Sequence, residues 1–236
     1  MLDVWTPAGG GRNLPVIVFF YGGAWNSGAR GEYGFAGRAF AARGFVVVVA
    51  DYRLYPDVRF PAFVDDAALA VKWARDHAAQ YGGDPDKIAL AGHSAGAHIA
   101  ALVALDPHYL TDLGVEPGVV KAAALLSGPY DFLPFTNGAA RDALGQWPRP
   151  VETQPVHFAR KDAPPMLLVS GTADTTVRAR NSQALAKALR QAGAEVELKL
   201  YKGQTHTDTI KSLSPLFRGN NPALADSVAF LKAHLK

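Results

Sequence analysis

A serine at position 94 lies in a pattern that can turn a hydroxyl group into a nucleophile. Ser94 is the centre of a G-x-S-x-G sequence that runs from Gly92 to Gly96, after the apolar run 88–91 and before a helix-like segment. A sharp strand-to-helix turn strains the serine backbone, needs small neighbours and presents the hydroxyl at the helix N-terminus. The five-residue pattern is weak by itself. Its surroundings favour a nucleophile over a serine that only caps the helix.

A nucleophilic serine needs a base to take its proton, and the base needs a carboxylate to orient it. Asp174 follows the strand-like run 166–171, and His206 follows the strand-like run 196–201. Both residues therefore come just after strand ends, and their order after the serine is typical of nucleophiles on strand-to-helix turns. We predict a catalytic triad of Ser94, Asp174 and His206.

Other acidic residues and histidines are weaker candidates for the triad. Asp51 also follows a strand, but it precedes the serine in the chain, and Asp208 is so near the candidate base that a local hydrogen bond is the better prediction. His93 and His98 flank the serine, the first predicted to pack beneath the turn and the second about one helical turn further on.

A second chemical signal is the sequence Tyr-Gly-Gly-Ala-Trp at 21–25, directly after the apolar run 16–20. Glycines let the backbone turn its N–H groups toward a developing negative charge. Together with the N–H of Ala95, these groups predict an oxyanion hole. A simple strand-to-helix turn built on the two glycines is the alternative.

The elements that position these residues alternate along the chain. Short apolar runs predict strands at 16–20, 46–50, 88–91, 122–126, 166–169 and 196–201. Helical spacing of apolar residues predicts helices at 63–81, 95–105, 180–192 and 222–235. This alternation predicts an α/β fold, with a mostly parallel, doubly wound sheet flanked by helices. One segment, 128–165, is rich in Pro and aromatic residues and predicts an irregular insertion near the active site.

Composition restricts the class of protein. The 236 residues are 49% hydrophobic and 19% charged, which suits one globular domain over 1–236. The net charge of +3 comes from scattered Lys and Arg rather than a basic strip, so we expect no nucleic-acid partner. Without cysteine there can be no disulfide, thiolate catalysis or Cys-based metal site, and no motif indicates a metal or cofactor.

The sequence also bears on location. No run approaches the ~18 apolar residues of a membrane span, and no signal peptide pattern is visible, so we expect a cytoplasmic protein without a membrane partner. The strand-like run 2–5 follows Met1 almost at once, which leaves open whether residues precede it. Nothing in the sequence indicates an oligomeric state.

These residues resemble a known family. The G-H-S-A-G at 92–96, the Gly-Gly-Ala-Trp at 22–25, the Asp-Tyr-Arg-Leu at 51–54 and the Gly-Thr-Ala-Asp at 171–174 look like those of α/β-hydrolase carboxylesterases. The resemblance is to the hormone-sensitive-lipase-like and kynurenine-formamidase-like members and covers nearly the whole chain. It implies ester or small-amide hydrolysis without a cofactor. It also implies that Gly23, Ala24 and Ala95 supply the oxyanion N–H groups beside the triad already predicted.

The sequence differs from the usual family pattern at two features. It also does not identify the substrate. Tyr21 stands where relatives usually have histidine, and no large N-terminal cap is visible, which predicts an open cleft. An apolar wall of Trp25, Tyr130 and Phe132 is predicted to seat part of a small ester. An arylformamidase, amidase or peptidase would use the same triad, and a non-catalytic binding module is the alternative from another class.

Overall fold

The computed structural model describes all residues, 1–236, and contains one seven-stranded sheet. Its strands are β1 (Leu2–Trp5), β2 (Leu14–Phe20), β3 (Val46–Ala50), β4 (Gly83–His93), β5 (Val120–Leu126), β6 (Met166–Gly171) and β7 (Val196–Tyr201). The strand order is β1-β3-β2-β4-β5-β6-β7, and every neighbouring pair is parallel except β1 with β3. The prediction of a mostly parallel sheet is confirmed.

Eight helices accompany the sheet. They are α1 (Gly34–Ala41), α2 (Ala62–His77), α3 (Ala95–Leu105), α4 (His108–Thr111), α5 (Gly138–Leu144), α6 (Arg180–Ala192), α7 (Asp208–Lys211) and α8 (Ala223–His234). Helix α1 packs with α8, whereas α2 packs with α3 and α4, which is the arrangement of a sheet covered on both faces. None of these helices is long and apolar enough to cross a membrane.

The core explains why the central strands read as unbroken apolar runs. All five residues of β3 and all six of β6 are buried, because helices cover both faces of a parallel sheet. Strand β7 lies at the edge and is only partly buried, which fits its alternating pattern. Helix α3 is buried along its whole length, so the turn that precedes it is fixed to the centre of the molecule.

Some elements differ from the sequence prediction. The helix predicted over 63–81 ends at His77, and a 3-10 turn continues to Tyr81 before Gly82 adopts a left-handed φ of 83°. The segment 128–165 is less irregular than predicted, since it contains α5 and two 3-10 turns, Pro150–Thr153 and Pro155–Phe158.

Helix α1 was not predicted because it contains two glycines. Glycine lowers helix propensity by about 1 kcal/mol relative to alanine. In the structure, a Cβ on Gly37 would clash with the indole ring of Trp5. Tertiary packing of β1 against α1 therefore requires a residue that local propensity disfavours.

Candidate active site

Ser94 lies at the tight turn between β4 and α3. Its backbone has φ 54° and ψ −122°, a conformation that costs a non-glycine residue on the order of 1–3 kcal/mol. The flanking glycines make the turn possible. A Cβ on Gly92 would come within 2.6 Å of the Gly96 carbonyl oxygen, and a Cβ on Gly96 would clash with the carbonyl oxygens that end β2. The small neighbours predicted from the sequence are thus required by close backbone contact.

Three side chains from three loops meet at this turn. The Nε2 atom of His206 lies 2.9 Å from Oγ of Ser94, and its Nδ1 atom lies 2.8 Å from Oδ2 of Asp174. The Asp174 side chain is fully buried. A buried carboxylate next to Nδ1 favours the tautomer that carries its proton on Nδ1, which leaves Nε2 free to accept from the serine hydroxyl.

The carboxylate of Asp174 is itself held by the backbone. Its Oδ1 atom accepts N–H hydrogen bonds from Thr176 at 2.9 Å and Val177 at 2.8 Å. These bonds fix the carboxylate plane, so that Oδ2 remains directed at His206.

Hydrogen bonds from neighbouring residues hold the loop that carries His206. His93 lies against the backbone carbonyl of His206, with Nε2 at 3.2 Å. Burial lowers the pKa of His93 to about 3, so its ring is neutral and Nε2 donates to that carbonyl. Asp208 accepts hydrogen bonds from the N–H and the hydroxyl of Thr205, at 2.7 and 2.6 Å. As predicted, His93 packs beneath the turn and Asp208 bonds locally.

The loop after β2 is strained. Ala24 and Trp25 both have positive φ, 50° and 61°, which is uncommon for residues with a side chain. Gly23 has φ 141°, and a Cβ there would clash with the carbonyl of Ser27. Gly23 adopts its φ without strain because it has no side chain, whereas strain at two successive residues, Ala24 and Trp25, is typical of a backbone held for a function.

Two N–H groups of this loop have no acceptor in the protein, although those of Asn26 and Ser27 donate to the Gly23 carbonyl oxygen. Those of Gly23 and Ala24 donate to no acceptor in the protein, and Ala95, as the first residue of α3, has no intrahelical acceptor. Ala24 and Ala95 line the same cavity as Ser94, whereas Gly23 is not part of that lining. The geometry therefore brings two of the three predicted donor residues to the serine.

Tyr21 lies beneath this loop in place of the family's histidine. Its ring is buried and stacks on the ring of Tyr52 at a centroid distance of 4.5 Å. The Tyr52 hydroxyl donates to the Tyr21 carbonyl oxygen at 2.8 Å. The sequence did not reveal this use of Tyr52, which steadies the loop from the strand next to it.

Ser94 opens into a cavity of about 580 Å³, within the usual size range of small-molecule sites. Trp25 and Phe132 line it, with their rings stacked at 6.0 Å. Tyr130 was predicted to share this wall, and that prediction is wrong. Its side chain is fully buried and packs closely on Gly128, whose lack of a side chain leaves room for the phenol ring.

A buried histidine fixes the apolar wall. The indole Nε1 of Trp25 donates to Nδ1 of His98 at 3.2 Å, and Nε2 of His98 lies 2.8 Å from the carbonyl oxygen of Thr153. Burial lowers the pKa of His98 to about 4, so the ring is neutral, accepts at Nδ1 and donates at Nε2. This chain of bonds connects the loop after β2 to the segment 128–165.

Another part of the wall comes from the loop after Asp174, of which the sequence analysis assigned only Asp174 to the site. Thr175, Thr176, Arg178 and Arg180 line the cavity there. The only sequence feature that could have indicated these residues is that they follow the predicted acid, Asp174, within six positions.

Comparisons with known proteins identify the family of the chain. A family model described as BD-FAE matches residues 2–189. The probable isoprenylcysteine alpha-carbonyl methylesterase ICME of Oryza sativa subsp. japonica is 31% identical over 253 residues, covering 98% of this chain and 61% of the relative. Esterase LipQ of Mycobacterium tuberculosis is 34% identical over 216 residues, covering 82% of this chain and 50% of the relative. The chain thus spans between half and two thirds of the length of these curated relatives.

A solved structure extends the likeness to three dimensions. The esterase Est2 of the Planctomycetes species Thermogutta terrifontis, in its propionate-bound form, has a TM-score of 0.78 and 31% sequence identity. The match covers 98% of this chain and 87% of that one. The chain therefore belongs to the BD-FAE family and has the α/β-hydrolase fold of these similar esterases.

Proposed function

We propose that this chain hydrolyses small carboxylic esters through an acyl-enzyme formed on Ser94. The observation that carries the proposal is the continuous contact from Asp174 through His206 to the serine hydroxyl, at 2.8 and 2.9 Å. The similarity to proteins described as esterases supports ester hydrolysis as the type of reaction. An intact, preorganised triad also argues against a non-catalytic binding module.

The proposed cycle has two half-reactions. His206 takes the hydroxyl proton as Ser94 attacks the ester carbonyl, and Asp174 keeps the imidazole in position and stabilises its positive charge. The unoccupied N–H groups of Ala24 and Ala95, with Gly23 as the third candidate, stabilise the tetrahedral oxyanion. His206 then protonates the leaving alcohol, and water attacks the acyl-enzyme in the same way to release the acid.

We also propose that residues 1–236 act as one catalytic domain, because the segment 128–165 contributes to the wall of the cavity. Phe132, Thr136, Asn137 and Ala140 of this segment line the cavity beside residues of the sheet loops. We infer that the segment forms part of the substrate site rather than a separate module.

The experiment is an ester panel measured beside Ser94→Ala. p-Nitrophenyl acetate, butyrate and a longer-chain ester are assayed with both proteins, and N-formylkynurenine and simple amides are assayed in parallel. We expect turnover of the short-chain esters that disappears in the variant. Rapid turnover of the formamide with negligible ester turnover would replace the esterase proposal with an arylformamidase. Absence of any turnover above the variant would contradict the serine hydrolase proposal.

A further inference from the structure

The cavity has one cationic side. Arg178 and Arg180 line it, and none of its fifteen lining residues is acidic. Neither guanidinium makes an ion pair or donates a hydrogen bond to the protein. Elsewhere on the surface, Arg30 and Arg53 are paired with carboxylates, whereas Arg190 is not, so the absence of an ion pair matters here because of where these two arginines lie. Two guanidinium groups at the active site are thus available to a ligand.

The start of α6 adds to the positive potential. The helix N-terminus carries a partial positive charge, which an acidic residue in the first turn would offset; of the longer helices, α2 and α8 have such a residue, whereas α1, α3 and α6 do not. Helix α6 has no acidic residue in its first turn, begins with Arg180 itself and has no side-chain cap. Placing a cation there works against helix stability, and local violations of this kind are expected at functional sites.

The backbone beneath these two arginines is held in place. Asn181 is buried, and its Oδ1 atom accepts the N–H groups of Tyr130 and Asp131, each at 3.0 Å. The Asn181 amide also donates to the carbonyl oxygen of Arg178 at 3.2 Å. The same loop begins at Asp174, so the position of the arginines is tied to that of the triad.

The acidic residue that precedes Phe132 in the chain forms no ion pair with these arginines. Asp131 is exposed, is not part of the cavity lining and forms no ion pair. The remaining lining is uncharged and includes the apolar rings of Trp25 and Phe132. A ligand that fills the cavity therefore meets both aromatic rings and two unpaired guanidinium groups.

We propose that the preferred substrate is an ester that carries an anionic group, a carboxylate, in addition to the scissile ester, and that Arg178 and Arg180 bind this group. Guanidinium groups suit the task because their planar donors match a carboxylate in a bidentate manner. The proposal rests on the proposed esterase function and specifies its substrate class. The charge can lie on the acyl part or on the alcohol part, and the test distinguishes these two cases.

The test compares matched anionic and neutral esters in a pH-stat. Monomethyl glutarate is paired with methyl valerate for the acyl part, and 4-acetoxybenzoate is paired with 4-acetoxybenzamide for the alcohol part. We expect kcat/KM to favour the anionic member of one pair by about tenfold at low ionic strength, with a smaller preference in 0.5 M salt because exposed charges are screened. The preferred pair shows which part of the ester carries the charge.

Variants with equal change of charge identify the residues responsible. In Arg178→Gln/Arg180→Gln, the anionic-to-neutral ratio of kcat/KM is expected to fall to about one. Lys187 and Arg190 are exposed on the same helix outside the cavity, so Lys187→Gln/Arg190→Gln is expected to keep the wild-type ratio. The ratio compares two substrates on one enzyme, so partial loss of folded protein does not affect it.

Three kinds of result would overturn the proposal. Equal kcat/KM within both pairs for the wild type would show that the cavity does not select an anion. A preference that survives in the arginine variant, or that falls equally in the control variant, would show that these arginines do not provide it. If the wild type hydrolysed none of the four esters, nor p-nitrophenyl butyrate, the proposed esterase function itself would fail, and the substrate proposal with it.

Discussion

Two buried histidines are expected to make the protein lose stability in mild acid. Burial lowers the pKa of His93 to about 3 and that of His98 to about 4, from 6.5. Below pH 6.5 the unfolded chain binds protons at these positions that the folded protein does not. The stability they provide is fully present above pH 6.5 and is lost as the pH falls toward the folded-state values.

The loss of stability can be calculated from the pH range between the pKa of histidine in the unfolded chain and the pH of the assay. Between pH 8 and pH 6.5 the effect is small, because the histidines are neutral in both the folded and the unfolded state. Between pH 6.5 and pH 5 each pH unit lowers the free energy of unfolding by about 1.36 kcal/mol per histidine, which over 1.5 pH units amounts to about 2 kcal/mol. Both histidines together contribute about 4 kcal/mol, a large part of the usual stability of a domain.

The assay is urea unfolding followed by circular dichroism at pH 8, 6.5 and 5. In His98→Gln the amide can still donate to the Thr153 carbonyl, whereas the acceptor for Trp25 is lost, so we expect a cost of about 1 kcal/mol at pH 8. The loss between pH 8 and 5 is expected to be about 2 kcal/mol smaller than in the wild type. His157 is exposed, and His157→Gln serves as the control, with an unchanged pH dependence. An identical loss in wild type and His98→Gln would refute the reasoning.

Two further substitutions test the turn and the triad. Gly96→Ala places a Cβ against the carbonyl oxygens of Phe20 and Tyr21, and we expect it to lower the melting temperature strongly or prevent folding. Gly118→Ala meets no atom within 4 Å and is expected to leave the melting temperature nearly unchanged; equal effects would contradict the packing argument. Asp174→Asn keeps the shape of the acid but removes its charge, and kcat is expected to fall about 10³–10⁴-fold with the fold intact by circular dichroism. A fall of less than tenfold would contradict the assigned role.

The elements that carry the chemistry could be predicted because local sequence and tertiary structure agree there. Helices α3 and α6 begin and end where the sequence predicted, and the strand ends before Asp174 and His206 lie close to the predicted positions. A buried parallel strand must be apolar throughout, and a turn of this kind must have small flanking residues. Both requirements are visible in one sequence.

The remaining features depend on contacts between distant residues. Strand β4 begins at Gly83, five residues before the predicted run, because Gly83 pairs with Leu14 of β2. Tyr130 was predicted to share the cavity wall with Trp25 and Phe132, yet its ring packs inward over Gly128, in a contact that the sequence alone does not show. The cationic wall was missed because the side of a loop that faces a cavity is not visible in sequence.

The central claim is that Ser94 is the nucleophile, and covalent trapping tests it most directly. The purified protein is treated with diethyl p-nitrophenyl phosphate and examined by intact mass spectrometry and peptide mapping. We expect one diethylphosphoryl adduct per chain, located on Ser94, with no adduct in Ser94→Ala and much slower labelling in His206→Ala. A protein that remains unlabelled, or that is labelled equally in the Ser94→Ala variant, would contradict the account.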